Sequence, residues 1–217
     1  MDMYSIKVPT RLTLGEEIAN AVSHGVSALL ILFAMPVASI VAYSRGGITD
    51  LIGVTIFCSS IFFMFLISTL YHAMAYETKH KSVFKTLDHI FIYVAIAGSY
   101  TPIALLVIGG WQSIFILALQ WTMVVFGIFY KSLSRNSMPK VSLIIYLVMG
   151  WTMLIFMPLF FKNSNALLFW LIFTGGLFYS VGAIFYAKKG FKFHHFVWHI
   201  FVFLGAITHF IGICFYM

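Results

Sequence analysis

Seven stretches of the chain, at residues 19–43, 50–76, 88–108, 111–130, 140–161, 165–187 and 194–217, carry mostly apolar side chains, and short polar segments separate them. Each is about 20 residues long or longer, which at about 1.5 Å of rise per residue matches a hydrocarbon core ~30 Å thick. None shows the two-residue alternation of a strand, and an open sheet in lipid would leave its edges unpaired. The pattern predicts an all-α polytopic membrane protein with seven transmembrane helices. Residues 1–18 read as a cytoplasmic N-terminal segment rather than a cleavable leader, because the apolar run after them is too long for one. Residues 19–217 read as a single seven-helix domain. Gly109 and Gly110 are expected to turn the chain between the third and fourth spans, with Tyr43, Trp111, Tyr130 and Tyr186 as interfacial anchors.

The basic residues orient this bundle. Lys7 and Arg11 precede the first span, Lys79, Lys81 and Lys85 lie between the second and third, Lys131, Arg135 and Lys140 between the fourth and fifth, and Lys188, Lys189 and Lys192 between the sixth and seventh. Only Arg45 and Lys162 fall on the other side. Such a bias predicts a cytoplasmic N-terminus and an extracytoplasmic C-terminus, opposite to G-protein-coupled receptors. Composition agrees, with 62% hydrophobic and 9% charged residues, against about 25% charged in a soluble domain. The net charge of +7 therefore belongs to membrane topology and does not imply a nucleic-acid partner. The loops are short, and no protein partner is expected. Cys58 and Cys214 lie inside apolar spans and read as buried packing residues.

Ionisable groups inside lipid are costly, so each one in a span is a functional candidate. Counted along the helices, His24, His72, Asp88, His195 and His199 fall within roughly 4.5 to 10.5 Å of the cytoplasmic loops. His209 lies near the far leaflet and is set apart. His195 and His199 are spaced i, i+4 and share a helical face. They are either packing histidines or two ligands of one metal, and His72 at matching depth favours the metal. Three imidazoles leave a fourth tetrahedral position open, the pattern of a catalytic zinc.

Around them lie groups with two readings each. Ser68, one turn deeper than His72, could orient water or substrate, or bond back to its own helix. Asp88 could serve as general base, or cap the third helix. Glu17, Asn20 and His24 share a face of the first helix, either as structural residues or bonding to the histidines from behind. His80, His89 and His194 read as interfacial.

These motifs resemble a known family. Ser68-Thr-Leu-Tyr-His72, Lys85-Thr-Leu-Asp88, Gly98-Ser-Tyr-Thr-Pro102, His195-Phe-Val-Trp-His199 and Glu17-Ile-Ala-Asn20-Ala-Val-Ser-His24 are similar, in order, to those of the progestin and adipoQ receptor family, and the short termini resemble its bacterial hemolysin III branch. The resemblance implies a bacterial cytoplasmic-membrane protein with zinc held by His72, His195 and His199, and with Asp88 and Ser68 near the zinc-bound water. Alkaline ceramidases in the wider superfamily imply hydrolysis of a lipid amide or ester, with the membrane lipid as both environment and substrate. The hemolysin name implies instead a membrane-lytic or channel-forming protein. A receptor or sensor with structural zinc is a third expectation, and transport a fourth.

Overall fold

A computed structural model describes residues 11–133, 139–188 and 190–217. Residues 1–10 of the N-terminal segment, Lys7 among them, and Arg135 and Lys189 of the charge pattern lie outside the described residues. Helices α1 (Leu14–Gly46), α2 (Ile48–Ala73), α3 (Lys79–Pro102), α4 (Gly110–Leu133), α5 (Pro139–Trp151), α6 (Met157–Asn163), α7 (Ala166–Ala187) and α8 (His194–Phe215) follow one another. They make seven apolar spans, because α3 continues as a π-helix over Ile103–Ile108, and a 3₁₀ segment, Thr152–Phe156, joins α5 to α6. Among the described residues there is no strand. The seven-span all-α reading is correct, and most span boundaries move by only a few residues.

The third span departs most from expectation. It begins at Lys79, capped by Thr78 Oγ1, which accepts from Lys81 N at 3.1 Å. Asp88 therefore sits well inside α3 and does not cap it. The charged residues 79–87 form the first turns of α3, and Lys81 among them is buried and paired with Glu17. The third span is also the most buried of the seven.

The fifth span is interrupted where another helix can satisfy its backbone. Tyr100 of α3 donates its hydroxyl to Gly150 O (2.7 Å) and accepts from Met153 N (2.8 Å), and Gln120 of α4 donates to Met149 O (3.2 Å). In lipid an irregular backbone survives only with such partners. At the α3–α4 junction Gly109 and Gly110 both adopt positive φ (65° and 60°), the left-handed region where a side chain is strained.

Small residues let the spans approach. A Cβ on Gly98 of α3 would stand 2.3 Å from Ser60 Oγ of α2, and one on Gly205 of α8 2.8 Å from the Tyr179 ring of α7. Gly182 of α7 likewise receives Trp198 and Phe201 of α8. α1 packs along α2 and also against α8, so its inward face lies between the two helices that carry the candidate histidines.

Candidate metal centre

Two adjacent carboxylates at the start of α1 organise this end of the bundle. Glu16 closes a capping box, its Oε2 accepting from Thr13 N (2.8 Å) and Thr13 Oγ1 (2.9 Å). Its other oxygen, Oε1, accepts from Phe193 N at 2.9 Å. Phe193 is the N-cap of α8 and holds a left-handed backbone (φ 63°, ψ 17°), a conformation costly for any residue but glycine. Glu16 thus pins the start of α8, the helix from which His195 and His199 project.

Glu17 turns the other way. It is buried, and its Oε2 accepts from His72 Nδ1 at 2.5 Å while its Oε1 accepts from Lys81 Nζ at 2.8 Å. A carboxylate on Nδ1 places the proton there and leaves Nε2 with its lone pair, the arrangement that holds metal-binding histidines in place. His72 Nε2 is buried without a hydrogen-bond partner among the described residues.

His199 is held similarly. Ser23 donates its hydroxyl to Asn20 O (2.9 Å) and so accepts from His199 Nδ1 (3.3 Å), which frees Nε2. The rings of His72 and His195 lie 5.1 Å apart, those of His72 and His199 5.1 Å, and those of His195 and His199 4.7 Å. One nitrogen of each lies within 4.8 Å of the others. Three imidazoles with converging nitrogens fit a tetrahedral divalent ion of the zinc type; an orphaned buried nitrogen such as His72 Nε2 otherwise costs about 1–3 kcal/mol.

His24 stacks on His199, with centroids 3.5 Å apart and planes at 4°. An imidazole lone pair lies in its ring plane, and one ion cannot lie in two parallel planes so separated, so His24 is a neighbour of a ligand rather than a ligand. His24 and Asn20 are both buried, with side-chain nitrogens and oxygen unpartnered among the described residues. Ser68 is buried and makes no back-bond among the described residues, unlike Thr69, which donates to Phe65 O at 2.8 Å. Asp88 is half-buried, outside the three-histidine group, and within electrostatic reach of the Tyr71, Tyr146 and Tyr186 hydroxyls. Tyr186, expected at the interface, packs its ring 5.8 Å from His195. His209 is remote, bonding Ile172 O at 3.0 Å.

Three participants escaped the sequence reading. Glu16 looked like part of a polar lead-in, Ser23 like a spacer within the first-helix motif, and Lys81 like one of several loop lysines. The capping pattern Thr13-x-x-Glu16 was legible, but its second bond, to a residue 177 positions away, was not.

Fold and site together define a polytopic seven-helix membrane protein with three clustered histidines, two buried and one half-buried, at one end. The sequence profile described as "Haemolysin-III related" matches residues 12–210, and the chain belongs to that family. It is 38% identical over 204 residues to the hemolysin-3 homolog of Bacillus subtilis (strain 168), covering 94% of this chain and 95% of the relative. It is 36% identical over 210 residues to hemolysin-3 of Bacillus cereus, covering 96% and 95%. A more distant relative, monocyte to macrophage differentiation factor of Homo sapiens, is 29% identical over 159 residues, covering 71% and 66%. No solved structure matches the chain.

Proposed function

We propose that the chain is a zinc-dependent hydrolase of a membrane lipid amide or ester, with the ion held by His72, His195 and His199. The observation that carries this reading is the convergence of three imidazoles, two of them buried and with Nδ1 engaged, which leaves Nε2 for an ion. When bound, zinc supplies Lewis-acid polarisation of a carbonyl and activates water near neutral pH. The Asp88 carboxylate accepts the proton that water gives up. Ser68, its hydroxyl uncommitted to its own helix, donates to water or to the oxyanion that develops on the scissile carbonyl. Glu17 and Ser23 keep the ligand rings in register, and Asn20 and His24 back the same wall of the site. Apolar spans surround these groups, so the acyl chains of a lipid stay in the bundle while its head reaches the polar end.

The bias of eleven basic residues against two supports a cytoplasmic N-terminus, with the site in the inner leaflet of a bacterial cytoplasmic membrane. The test is hydrolysis of a panel of lipid amides and esters by purified, zinc-loaded protein. Turnover that falls 10²–10⁴-fold in Asp88→Asn, the range for a general base, supports the reading; no turnover of any lipid by the loaded protein overturns it.

The names of the two Bacillus relatives favour a second reading, a membrane-lytic or channel-forming protein. Dye leakage from liposomes that persists in His72→Ala and His199→Ala would select lysis over hydrolysis. Unfolding on metal removal, without any catalysis in the loaded form, would select a receptor or sensor with structural zinc.

A further inference from the structure

Lys81 is the one lysine of the α2–α3 region that turns inward. Only 6% of its surface is exposed, whereas Lys79 and Lys85, on the same helix, are exposed. Its Nζ donates to Glu17 Oε1 (2.8 Å) and to Met74 O (3.1 Å), and it lies over the rings of Tyr76 (4.2 Å) and Tyr71 (5.0 Å). A buried ammonium is tolerated only when paired in this way. Glu17 gives one oxygen to Lys81 and one to His72, and the Tyr76 hydroxyl also lies within reach of the carboxylate. With Oε1 fixed by Lys81, Oε2 faces His72 Nδ1 in a single orientation.

We propose that Lys81 is a positioning residue for the metal centre, acting through Glu17 to hold His72 as the Nδ1–H tautomer with Nε2 directed at the ion. Without Lys81 the Glu17 carboxylate loses its charged anchor, keeps only the Tyr76 hydroxyl beside His72, and can swing. The imidazole then loses the bond that selects its tautomer. The same contact ties the α2–α3 connection to the first turn of α1, so three helices meet on one charge pair. This inference rests on the metal reading for its consequence in affinity, but its tautomer claim stands apart from it.

Two measurements on the purified full-length protein test it. Zinc affinity by competition with a chromophoric chelator should fall about 10–100-fold in Lys81→Met. Lys81→Arg, which keeps charge and donors, should recover most of the loss, and Lys85→Met should match wild type. In the metal-free protein, ¹⁵N spectra of labelled histidine, with the His72 signal assigned by its loss in His72→Asn, should show the Nδ1–H form in wild type and in Lys81→Arg, and a tautomer mixture in Lys81→Met. If Lys81→Met does not fold, the Lys81→Gln variant carries both readouts with a shorter neutral side chain. Unchanged affinity and an unchanged tautomer in the neutral variant overturn the proposal, as does a wild-type His72 protonated on Nε2. A wild type that binds no zinc overturns the metal reading instead, and the tautomer measurement then decides the role of Lys81 by itself.

Discussion

Replacing Glu16 by alanine tests how the seventh span is held in place. The substitution removes the acceptor for Thr13 N and Oγ1 at the start of α1, and for Phe193 N at the start of α8. Loss of the capping box costs about 1 kcal/mol at α1. At α8 the cost is that of a donor left without its acceptor, about 1–3 kcal/mol, on a residue already in the left-handed region. Opening of the first turn of α8 should therefore become roughly 5- to 150-fold more frequent, at about 1.4 kcal/mol per tenfold. Glu16→Gln is the informative companion. Glutamine has one carbonyl oxygen where Glu16 uses both carboxylate oxygens, so it can keep the cap or the clamp, and its effect should be smaller than that of alanine. Hydrogen–deuterium exchange on metal-free protein, read over peptides spanning residues 193–199, measures the change. Refutation would be faster exchange at the start of α1 in Glu16→Ala with no change over 193–199, because α8 would then be held by something else.

Three further outcomes are expected. Gly205→Ala drives a Cβ to 2.8 Å from the Tyr179 ring and should lower stability in detergent by about 1–3 kcal/mol, whereas Gly150→Ala meets open space and should stay within about 0.5 kcal/mol. Thermal unfolding distinguishes the pair. Single cysteines at Lys162 and Lys85, in a background lacking Cys58 and Cys214, should react with an impermeant maleimide on intact cells only at 162, and labelling at 85 alone would invert the proposed orientation. Zinc at 100 times its dissociation constant should stabilise wild type by about 2.7 kcal/mol over the chelated protein, with no such gain in His195→Ala.

The spans were legible because lipid imposes a length and a composition that short polar loops cannot imitate. The histidines were legible for a related reason: depth along a helix can be counted from the charged ends, so His72, His195 and His199 could be placed at one level before any contact was known. What depth cannot supply is azimuth. His24 sits at the same level, yet it stacks face to face on His199 and is excluded as a ligand by ring orientation alone. Asp88 misled because the hydrophobic run starts there, while the helix starts nine residues earlier, where Lys81 folds inward onto Glu17. Hydropathy counts that lysine as a loop charge whichever way it points. The break in α5 was illegible too, since it depends on Tyr100 and Gln120 arriving from other helices to satisfy the freed backbone. The carboxylate pair Glu16-Glu17 shows the same limit: residues adjacent in sequence face opposite partners, one on α8 and the other on α2 and α3.

Metal content bears most directly on the centre. Protein purified without added chelator and analysed by elemental mass spectrometry should carry about one zinc per chain, and His199→Ala, which removes one ligand and leaves the remaining two on separate helices, should carry almost none. Wild-type protein that binds no divalent metal, or a His199→Ala variant that binds as much as wild type, would contradict a three-histidine centre.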